Sequence, residues 1–513
     1  MTVTEHAPPV AADGGGERHP RGTDVLIVGT GFSGLGMAIR LLESGHDDFV
    51  VLERGDDVGG TWRDNTYPGC ACDVPSHLYS FSFAPNPDWT RTYPSQAEIW
   101  RYLRDCADRF NVRPHIRFGH TMTGARWDAP ARRWIVDTDH GAFAARFLVL
   151  GTGPLSEPRM PQIPGIERFR GTLFHSARWR HDHDLRGERV AVVGTGASSI
   201  QFVPQIQPLV SQLTLFQRTP AWILPHPNRS LTRAEHWLAR HVPGFERLRR
   251  LGIYLSREML VLGLTVDPRY IALLEAVARR HLHAQVSDPQ LRERLTPHYR
   301  LGCKRLLISN DFYPALTQPN AELVTERLVE VREHSVVTDD GVERSVDTII
   351  VGTGFHVTDM PVADVVIGRE GRSLAHDWQG SPQAYLGTSV AGFPNFFFLT
   401  GPNTGLGHTS LVYIIESQIA YVLDAIDGAR RHRVDTLEVR PEVQAAFNDE
   451  VQRRMQRTVW MRGGCASWYI DSRGRNTTLW PSFTLPFHER TRRFDASRYV
   501  LRRAPVAAGA APR

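Results

Sequence analysis

Two stretches of the chain place glycines where backbone could approach a nucleotide phosphate. In the first, Gly29, Gly31 and Gly34 form a G-x-G-x-x-G turn between a strand-like run and a helical pattern. Glycine allows the tight turn and the close approach to a pyrophosphate, and the N-terminus of the following helix favours its negative charge. The next strand-like run ends in Glu53, 24 residues after Gly29, from where a carboxylate accepts hydrogen bonds from a ribose diol. The pattern predicts a dinucleotide-binding turn.

A second turn repeats the pattern with one substitution and one reversal of charge. Gly194 and Gly196 are in place, and Ser199 stands at the third glycine position, where a small residue still allows close helix packing. The following strand-like run ends in Arg218, 24 residues after Gly194. An acid there repels a 2′-phosphate, whereas an arginine pairs with it. The first turn is therefore predicted to bind FAD and the second NADPH in preference to NADH, unless Arg218 is a surface arginine without a partner. The cofactor-binding residues predicted around the second turn are Gly194, Gly196, Ser198, Arg218 and Thr219.

The loop after the first nucleotide strand is rich in turn residues. Gly60, Thr61 and Trp62 would bring backbone and a flat apolar face close to a ring system. Asp73 ends the loop and is either a turn or helix-cap acid or the charge partner of a nearby cation. We count all four as candidate cofactor-binding residues.

Two adjacent cations and a second glycine-rich loop lie further along the chain. Lys304 and Arg305 stand on a loop, where they would serve a phosphate, a flavin or neither; composition does not choose. Asn403 lies in a glycine-rich loop before a helix predicted over 409–426. The N-terminus of such a helix, aimed at a flavin, would stabilise negative charge on the reduced ring.

The segment 169–179 holds aromatics, a glycine and a histidine at fixed offsets between the two glycine turns. Its defined positions are Phe169, Gly171, His175 and Trp179, and it matches no secondary-structure period. A lone histidine is more often structural than catalytic. The position between an acid-ended and a base-ended nucleotide strand favours a hinge that couples two domains.

These residues need a scaffold, and the length and patterning predict one. A chain of 513 residues is too long for one compact core. Strand-like runs alternate with helical patterns, which is typical of an α/β fold, here with two Rossmann-like, three-layer dinucleotide-binding domains and a helical insertion in the second. Apolar residues at three- and four-residue spacing predict amphipathic helices in the insertion, with their apolar faces packed on the sheet or covering an active site. The predicted ranges are a disordered tail over 1–21, an FAD-binding domain over 22–155 and 391–505, an NADP-binding domain over 156–224 and 303–390, and the insertion over 225–302.

Composition excludes some classes of protein. Hydrophobic content of 41%, charged content of 22% and a net charge of +5 indicate a mildly basic soluble surface without a nucleic-acid-binding tract. We find no signal peptide, no stretch long enough to span a membrane and no metal-ligand pattern. Five cysteines without a C-x-x-C pair favour a reducing cytoplasm, and Cys70 and Cys72 are too close in sequence for a disulfide.

Two motifs resemble those of type I Baeyer–Villiger monooxygenases. The segment 169–179 matches F-x-G-x-x-x-H-x-x-x-W, although Arg180 stands where the family has Pro or Asp. The loop 59–73 is similar to the second family signature at every defined position, from Gly59 to Asp73. The resemblance covers nearly the whole chain beyond the N-terminal tail.

This resemblance implies roles for several residues. Arg305 is similar to the family's active-site arginine, Asp73 to its carboxylate partner, and Lys304 and Arg218 to the pair that holds the 2′-phosphate. His175 is implied to couple conformations rather than donate a proton. NADPH would reduce FAD, and O2 would add to give a C4a-peroxyflavin that attacks a ketone and yields an ester or lactone. A fixed guanidinium suits the anions of that sequence.

Other classes of flavoprotein also fit parts of the sequence. A flavin-containing monooxygenase that oxidises nitrogen or sulfur is the main alternative, and Trp179 and the Pro-Gly-x3-Asp loop weigh against it. An NADPH oxidase or a disulfide reductase-type flavoprotein comes next, followed by a non-catalytic flavin-binding scaffold. The expected partners are a ketone and O2, with no nucleic acid, and the expected assembly is a monomer or small homo-oligomer.

Overall fold

The structure, a computed structural model, describes residues 20–503. The tail predicted over 1–21 lies outside the described residues except for its last two, and Arg21 already begins a strand. The strands are β1 Arg21–Val28, β2 Phe49–Leu52, β3 Ile116–Arg117, β4 Met122–Asp128, β5 Arg133–Thr138, β6 Gly141–Leu150, β7 Thr172–His175, β8 Arg189–Val193, β9 Gln212–Phe216, β10 Ile223–Leu224, β11 Leu307–Ile308, β12 Ala321–Val324, β13 Leu328–Val331, β14 Ser335–Thr338, β15 Glu343–Ser345, β16 Thr348–Val351, β17 Val366–Ile367, β18 Phe396–Phe398, β19 Thr436–Val439 and β20 Tyr499–Arg502.

Helices cover both sheets and fill the insertion. Their bounds are α1 Phe32–Glu43, α2 Thr61–Asp64, α3 Gln96–Arg109, α4 Ser199–Ile206, α5 Arg233–His241, α6 Phe245–Glu258, α7 Ala272–Gln285, α8 Pro289–Arg294, α9 Phe312–Leu316, α10 Val362–Val365, α11 Leu374–Trp378, α12 Leu411–His432, α13 Pro441–Met455, α14 Val459–Arg462 and α15 Thr484–Thr491. Among residues 20–503, no helix is long and apolar enough to cross a membrane.

The first sheet has eight strands in the order β17-β4-β5-β6-β1-β2-β3, with β18 also paired to β6. β1 runs parallel to β2 and β6, so that Val28 lies beside both Leu52 and Leu150. β18 continues this edge, since Phe398 pairs with Leu150. Parallel strands meet with their carboxyl ends at one edge, and ligands of open α/β sheets bind there. Four loops of interest, beginning near 29, 53, 151 and 399, therefore leave the same edge.

The second sheet is parallel throughout, in the order β12-β9-β8-β16-β7. Val351 in β16 lies between Val193 of β8 and His175 of β7. The second glycine turn and His175 thus share one carboxyl edge. The pairing also changes two expectations. Residues 172–175 form an edge strand of this sheet instead of an irregular connector, and β17, from the range predicted for the NADP-binding domain, pairs with β4 of the first sheet.

The insertion is helical, as predicted, and holds α5 to α8. Helix α7 begins at Ala272, after a π-helical turn, Leu262–Val266, and a 3-10 turn, Pro268–Ile271. The long helix predicted over 409–426 is α12. Ser410 caps it by accepting a hydrogen bond from Val412 N at 3.3 Å, and it continues to His432.

The cysteine pattern led to one wrong expectation. The cysteines were expected to be reduced thiols, but Cys303 and Cys465 form a disulfide across 162 residues of sequence. Cys70, Cys72 and Cys106 are free. The bond joins the loop of Lys304 and Arg305 to the segment after α14. Two cysteines so far apart carry no local pattern, and only the fold brings them together.

Candidate active site

Arg305 and Asp73 form a bidentate ion pair between loops 232 residues apart. Arg305 Nε donates to Asp73 Oδ2 at 2.8 Å, and Nη2 donates to Oδ1 at 2.7 Å. The third guanidinium nitrogen, Nη1, donates to the carbonyl of Leu406 at 2.9 Å. The side chains remain 29% and 26% exposed. Three loops therefore converge on one charged group that remains partly exposed.

The electrostatics of this pair keep both partners ionised. Burial raises the pKa of the Asp73 carboxyl, but the charge and hydrogen bonds of Arg305, together with the charge of Arg257, bring the pKa below its ordinary value. The Asp73 carboxylate raises the pKa of the guanidinium. Arg305 is a permanent, oriented positive charge.

The first glycine turn is packed too tightly for side chains. A Cβ on Gly34 would lie 1.8 Å from Gly29 O, and a Cβ on Gly29 would lie 2.8 Å from Gly151 O. Helix α1 therefore begins directly after Gly31, whose backbone is extended. Gly60, with φ at 51°, faces Gly31 across a narrow gap, since a Cβ on Gly60 would lie 3.1 Å from Gly31 Cα. Backbone lines both sides of this crevice.

Glu53 lies at the predicted position but is already hydrogen-bonded. It is 4% exposed and accepts from Thr30 N at 3.0 Å and Thr30 Oγ1 at 2.6 Å. Gly55 N and Arg63 Nη1 donate to its other oxygen at 2.8 and 2.7 Å. Burial raises the pKa of Glu53, but the charge of Arg63 and the hydrogen bonds from Thr30, Gly55 and Arg63 together bring it below the ordinary value. A ribose hydroxyl would have to share this carboxylate with four protein donors.

Two side-chain contacts hold the start of the loop 59–73. Thr61 begins the one-turn helix α2, and its hydroxyl lies 3.5 Å from the carbonyl of Leu155. Trp62 Nε1 donates to Tyr79 Oη at 3.0 Å, with the two rings edge to face. The indole is thereby oriented beside the first glycine turn.

The second glycine turn is looser. Gly194 has φ at 108°, and a Cβ there would lie 2.6 Å from Gly352 O. Helix α4 begins only at Ser199, which is fully buried against Gly352. Ser198 Oγ accepts from Ser176 Oγ at 3.3 Å, which links the turn to the residue after His175. The serine at the third glycine position is accommodated, as predicted.

Arg218 and Lys304 lie near each other but face different cavities. Arg218 is exposed and lines a cavity of about 330 Å3, with Thr219 next to it in sequence. Sequence reasoning missed three further titratable residues there, Glu293, Arg294 and His298, because they lie in and after α8 of the insertion. Burial lowers the pKa of Lys304, and the charge of Arg218 lowers it further. An anion bound between these two cations would relieve their mutual repulsion.

Lys304 belongs to a small enclosed cavity beside the Arg305 loop. Its Nζ lies 5.1 Å above the ring of Tyr299. The cavity volume is about 10 Å3, close to the minimum for one water molecule. Sequence reasoning missed Tyr469, which lines this cavity beside Trp460. The lining residues are Leu260, Leu264, Ile271, Gly302, Lys304, Leu306, Gly407, Trp460 and Tyr469.

His175 ends β7 and is buried. Its Nδ1 accepts from Ala177 N at 3.1 Å, its ring meets Phe355 edge to face, and its Nε2 has no partner among the described residues. Burial lowers the pKa of His175 to about 4, so the imidazole is neutral at pH 7. A Cβ on Gly171 would lie 2.2 Å from Asp347 O, which explains the glycine of the motif. Arg180, at the position that departs from the family, pairs with Asp182 at the surface.

Asn403 lies where β18 leads toward α12. It has φ at 57° and donates through Nδ2 to the carbonyls of Asn476 and Leu479, each at 2.9 Å. Its Oδ1 is buried without a partner within residues 20–503, as is Thr409 Oγ1 at the N-terminus of α12. Unpaired buried polar atoms are rare in proteins, and two in the loop between β18 and α12 suit a polar ligand.

Known proteins resemble this chain along nearly all of its length. The family model of flavin-binding monooxygenase-like proteins matches residues 22–369. A Baeyer–Villiger monooxygenase of Streptomyces coelicolor is 51% identical over 492 residues, 95% of this chain and 94% of that protein. The chain belongs to the Baeyer–Villiger monooxygenases. A second member, from Pseudomonas aeruginosa, is 50% identical and covers 94% of this chain and 92% of its own.

Solved structures of Baeyer–Villiger-type enzymes have the same fold. A steroid monooxygenase bound to NADP superposes with a TM-score of 0.83 at 32% identity, over 94% of this chain and 100% of that one. A cyclohexanone monooxygenase from Rhodococcus sp. Phi1, bound to NADP+, gives a TM-score of 0.85 at 28% identity, with the same coverage of both chains. The predicted architecture of two dinucleotide-binding domains is confirmed.

Proposed function

We propose that the site converts a ketone to an ester or lactone, with Arg305 as the residue that stabilises the anions of the reaction. The chain is an FAD- and NADPH-dependent monooxygenase of the Baeyer–Villiger type. The relatives named above support this activity over oxidation of nitrogen or sulfur. The observation that carries the role of Arg305 is its bidentate pair with Asp73, at the convergence of three loops.

The residues around the first glycine turn fit FAD. Gly29, Gly31 and Gly34 leave backbone exposed to a pyrophosphate at the start of α1, and Gly60 holds the opposite wall. Thr61, Trp62 and Asn403 would contact the flavin end of the cofactor, where the unpaired Oδ1 of Asn403 would offer an acceptor to a ring N–H. Glu53 orders the turn through Thr30, and a ribose hydroxyl would have to compete with the protein donors for its carboxylate.

The protein side chains contribute to this reaction by electrostatic stabilisation. When bound and reduced by NADPH, FAD would activate O2, so that one oxygen atom is transferred to the ketone and the other leaves as water. Arg305 presents a guanidinium that is charged at every working pH, and Asp73 fixes its plane through two hydrogen bonds. Because the charge is oriented before substrate arrives, it stabilises a developing oxyanion without reorganisation. No side-chain nucleophile is needed.

The second glycine turn fits NADPH. Gly194, Gly196 and Ser198 border the pyrophosphate position, and Arg218 with Thr219 lies at the end of the next strand. Arg218 would supply the positive charge that a 2′-phosphate requires, and Lys304, which lies near Arg218 but lines the neighbouring cavity, would be the second cation of the pair.

His175 is proposed to couple the two halves of the molecule. It ends the edge strand of the second sheet, and the neighbouring Ser176 bonds to Ser198 of the nucleotide turn. At a pKa of about 4 it is neutral and does not serve as a proton donor at pH 7. If His175→Ala reduced its flavin and oxygenated ketone at unchanged rates, the residue would be structural only.

The substrate class follows from the small cavity. Its lining is mostly aliphatic and aromatic, which favours an apolar ketone, and its volume of about 10 Å3 requires the insertion or the tail to move on binding. The decisive experiment is anaerobic reduction by NADPH, followed by isotopically labelled O2 with a panel of ketones and mass analysis. Esters or lactones with one labelled oxygen support the proposal, whereas hydrogen peroxide from every ketone contradicts it.

A further inference from the structure

Helix α6 has its apolar face toward solvent. Leu248, Leu251, Leu255 and Met259 follow one another at helical spacing and are 49–70% exposed. A surface helix of a soluble domain normally buries such a stripe. Because four residues on one face are exposed, the stripe results from the orientation of α6 and not from a single exposed side chain.

The opposite face of α6 explains the orientation. Arg250 donates to the carbonyls of His77 and Ser80 at 3.0 and 2.8 Å, and Arg257 donates to Tyr93 Oη at 2.6 Å. Glu258 is 6% exposed and pairs with His408 at 2.9 Å. The charged face is thus held against the FAD-binding side by several polar contacts, which forces the leucines outward.

The exposed apolar surface extends beyond α6. Within residues 20–503, ten of the sixteen exposed large hydrophobic residues lie between 237 and 277. The others in this stretch include Trp237 on α5, Val266 and Tyr270 before α7, and Leu273 on α7. We call the whole set the insertion face; it consists of Trp237, Val242, Leu248, Leu251, Leu255, Met259, Val266, Tyr270, Leu273 and Val277. Neighbouring exposed apolar side chains, such as the stripe on α6, commonly mark interaction sites on soluble proteins.

The charges around the insertion face are positive. Residues 231–285 contain nine arginines and five acidic residues. Each of the five acids is paired, with Arg249, His77, His408, Arg269 and Arg300 among the partners. In the described part of the chain, Arg233, Arg247 and Arg280 are exposed and have no ion-pair partner. The free charge beside the apolar residues is therefore cationic.

We propose that the insertion face binds the surface of an anionic lipid membrane. Leucine and methionine side chains would enter the acyl boundary, Trp237 and Tyr270 would lie at the headgroups, and the free arginines would meet lipid phosphates. A second copy of the chain is disfavoured, because a symmetric contact would bring the same unpaired arginines together. The terminal segments outside the described residues contain only four large apolar residues, Met1, Val3, Val10 and Val506, too few to cover the face.

The insertion face and the small cavity beside Lys304 are built from the same segment of the chain. Met259, Val266 and Tyr270 alternate along the chain with Leu260, Leu264 and Ile271, which line the small cavity beside Lys304. A membrane-bound enzyme would hold this cavity next to a phase in which apolar ketones concentrate. Membrane binding itself does not require catalysis, so its test is independent of the proposed activity.

The test is sedimentation of the full chain with vesicles. Vesicles of phosphatidylcholine mixed with phosphatidylglycerol should pellet the protein at low salt, and vesicles of phosphatidylcholine alone should pellet far less. The double variant Leu251→Glu/Leu255→Glu should lose about tenfold or more in vesicle affinity per leucine. Leu209→Glu, at an exposed leucine outside the insertion, is the matched control and should pellet like the unchanged protein. Arg247→Gln/Arg280→Gln should remove the preference for anionic lipid.

Several results would overturn the proposal. Absence of pelleting with anionic vesicles would do so, as would equal pelleting of the double variant and the control. Equal pelleting with both kinds of vesicle would refute the anionic partner. If the unchanged chain instead sediments as a dimer that the double variant dissociates, the face is an interface between two copies. Unchanged turnover of a water-soluble ketone by the double variant would show that it is folded.

Discussion

In the first glycine turn the helix begins one residue after Gly31, whereas in the second it begins three residues after Gly196. The difference has a steric cause. Gly34 approaches Gly29 so closely that a Cβ would lie 1.8 Å from its carbonyl oxygen. Ser199 carries a side chain at the equivalent position, so the first turn of α4 cannot approach in this way, and Ser199 Oγ lies against Gly352 instead.

The residues that follow the second strand of each nucleotide site also differ, and again the first site is the more enclosed. Glu53 is buried with four protein donors, and Arg218 is exposed on a cavity of about 330 Å3. The first site is therefore organised before a ligand arrives, and the second is open. Preorganisation reduces the cost of ordering on binding. The pair of sites suits one cofactor that stays and one that exchanges.

The largest expected effect comes from exchanging the third residues of the two turns. Gly34→Ser should abolish FAD binding, because its Cβ has no room beside Gly29. Ser199→Gly should keep both cofactors, since it only removes atoms from a looser turn. Flavin absorbance per protein after purification measures both variants. If Gly34→Ser retained its flavin, the steric difference between the turns would not matter for binding.

The next effect concerns the ion pair that joins the two halves. Arg305→Ala should lower the rate of ester formation by about 10²–10³, the usual cost of one oxyanion donor. Arg305→Lys keeps the charge but loses the bidentate geometry with Asp73, and we expect an intermediate rate. Single-turnover oxygenation of a ketone after NADPH reduction provides the measurement. Normal oxygenation by Arg305→Ala would remove Arg305 from the mechanism.

A smaller effect is expected at Arg218, the exposed residue after β9. Arg218→Ala should raise the KM for NADPH by roughly 10–100-fold, the worth of one charged hydrogen bond, and change the KM for NADH little. Arg294→Ala, in the same cavity, serves as the comparison for general loss of positive charge. Steady-state kinetics with both coenzymes decide the point. Equal increases for NADPH and NADH would show that Arg218 does not contact the 2′-phosphate.

The smallest effect is on stability. The pKa of His175 is about 4 in the fold and 6.5 for an ordinary histidine. Between these values the unfolded chain binds the extra proton, so the fold should lose stability as the pH falls from 6.5 to 4. His175→Gln cannot take up this proton. Its thermal midpoint should therefore fall less than that of the unchanged protein between pH 7 and pH 5, by a few degrees. Identical pH dependence would mean that His175 is not buried as a neutral group.

Much of the fold could be predicted because its signals are local. The glycine turns, the acid and base at the strand ends, the capped helix α12 and the helical insertion each depend on residues within a few turns of one another. Periodicity and turn chemistry act over that distance. The resemblance of two motifs to a known family added the pairing of Arg305 with Asp73, which composition alone had left open.

The tertiary structure decided whatever depends on distant partners. It joined Cys303 to Cys465, made residues 172–175 an edge strand beside β16, and filled the hydrogen-bonding capacity of Glu53. It also turned the leucines of α6 outward, although their spacing predicted only that a stripe exists. A helical pattern fixes which residues share a face, but the direction of that face is set by contacts such as Arg250 with Ser80, 170 residues apart, and those form only in the folded chain.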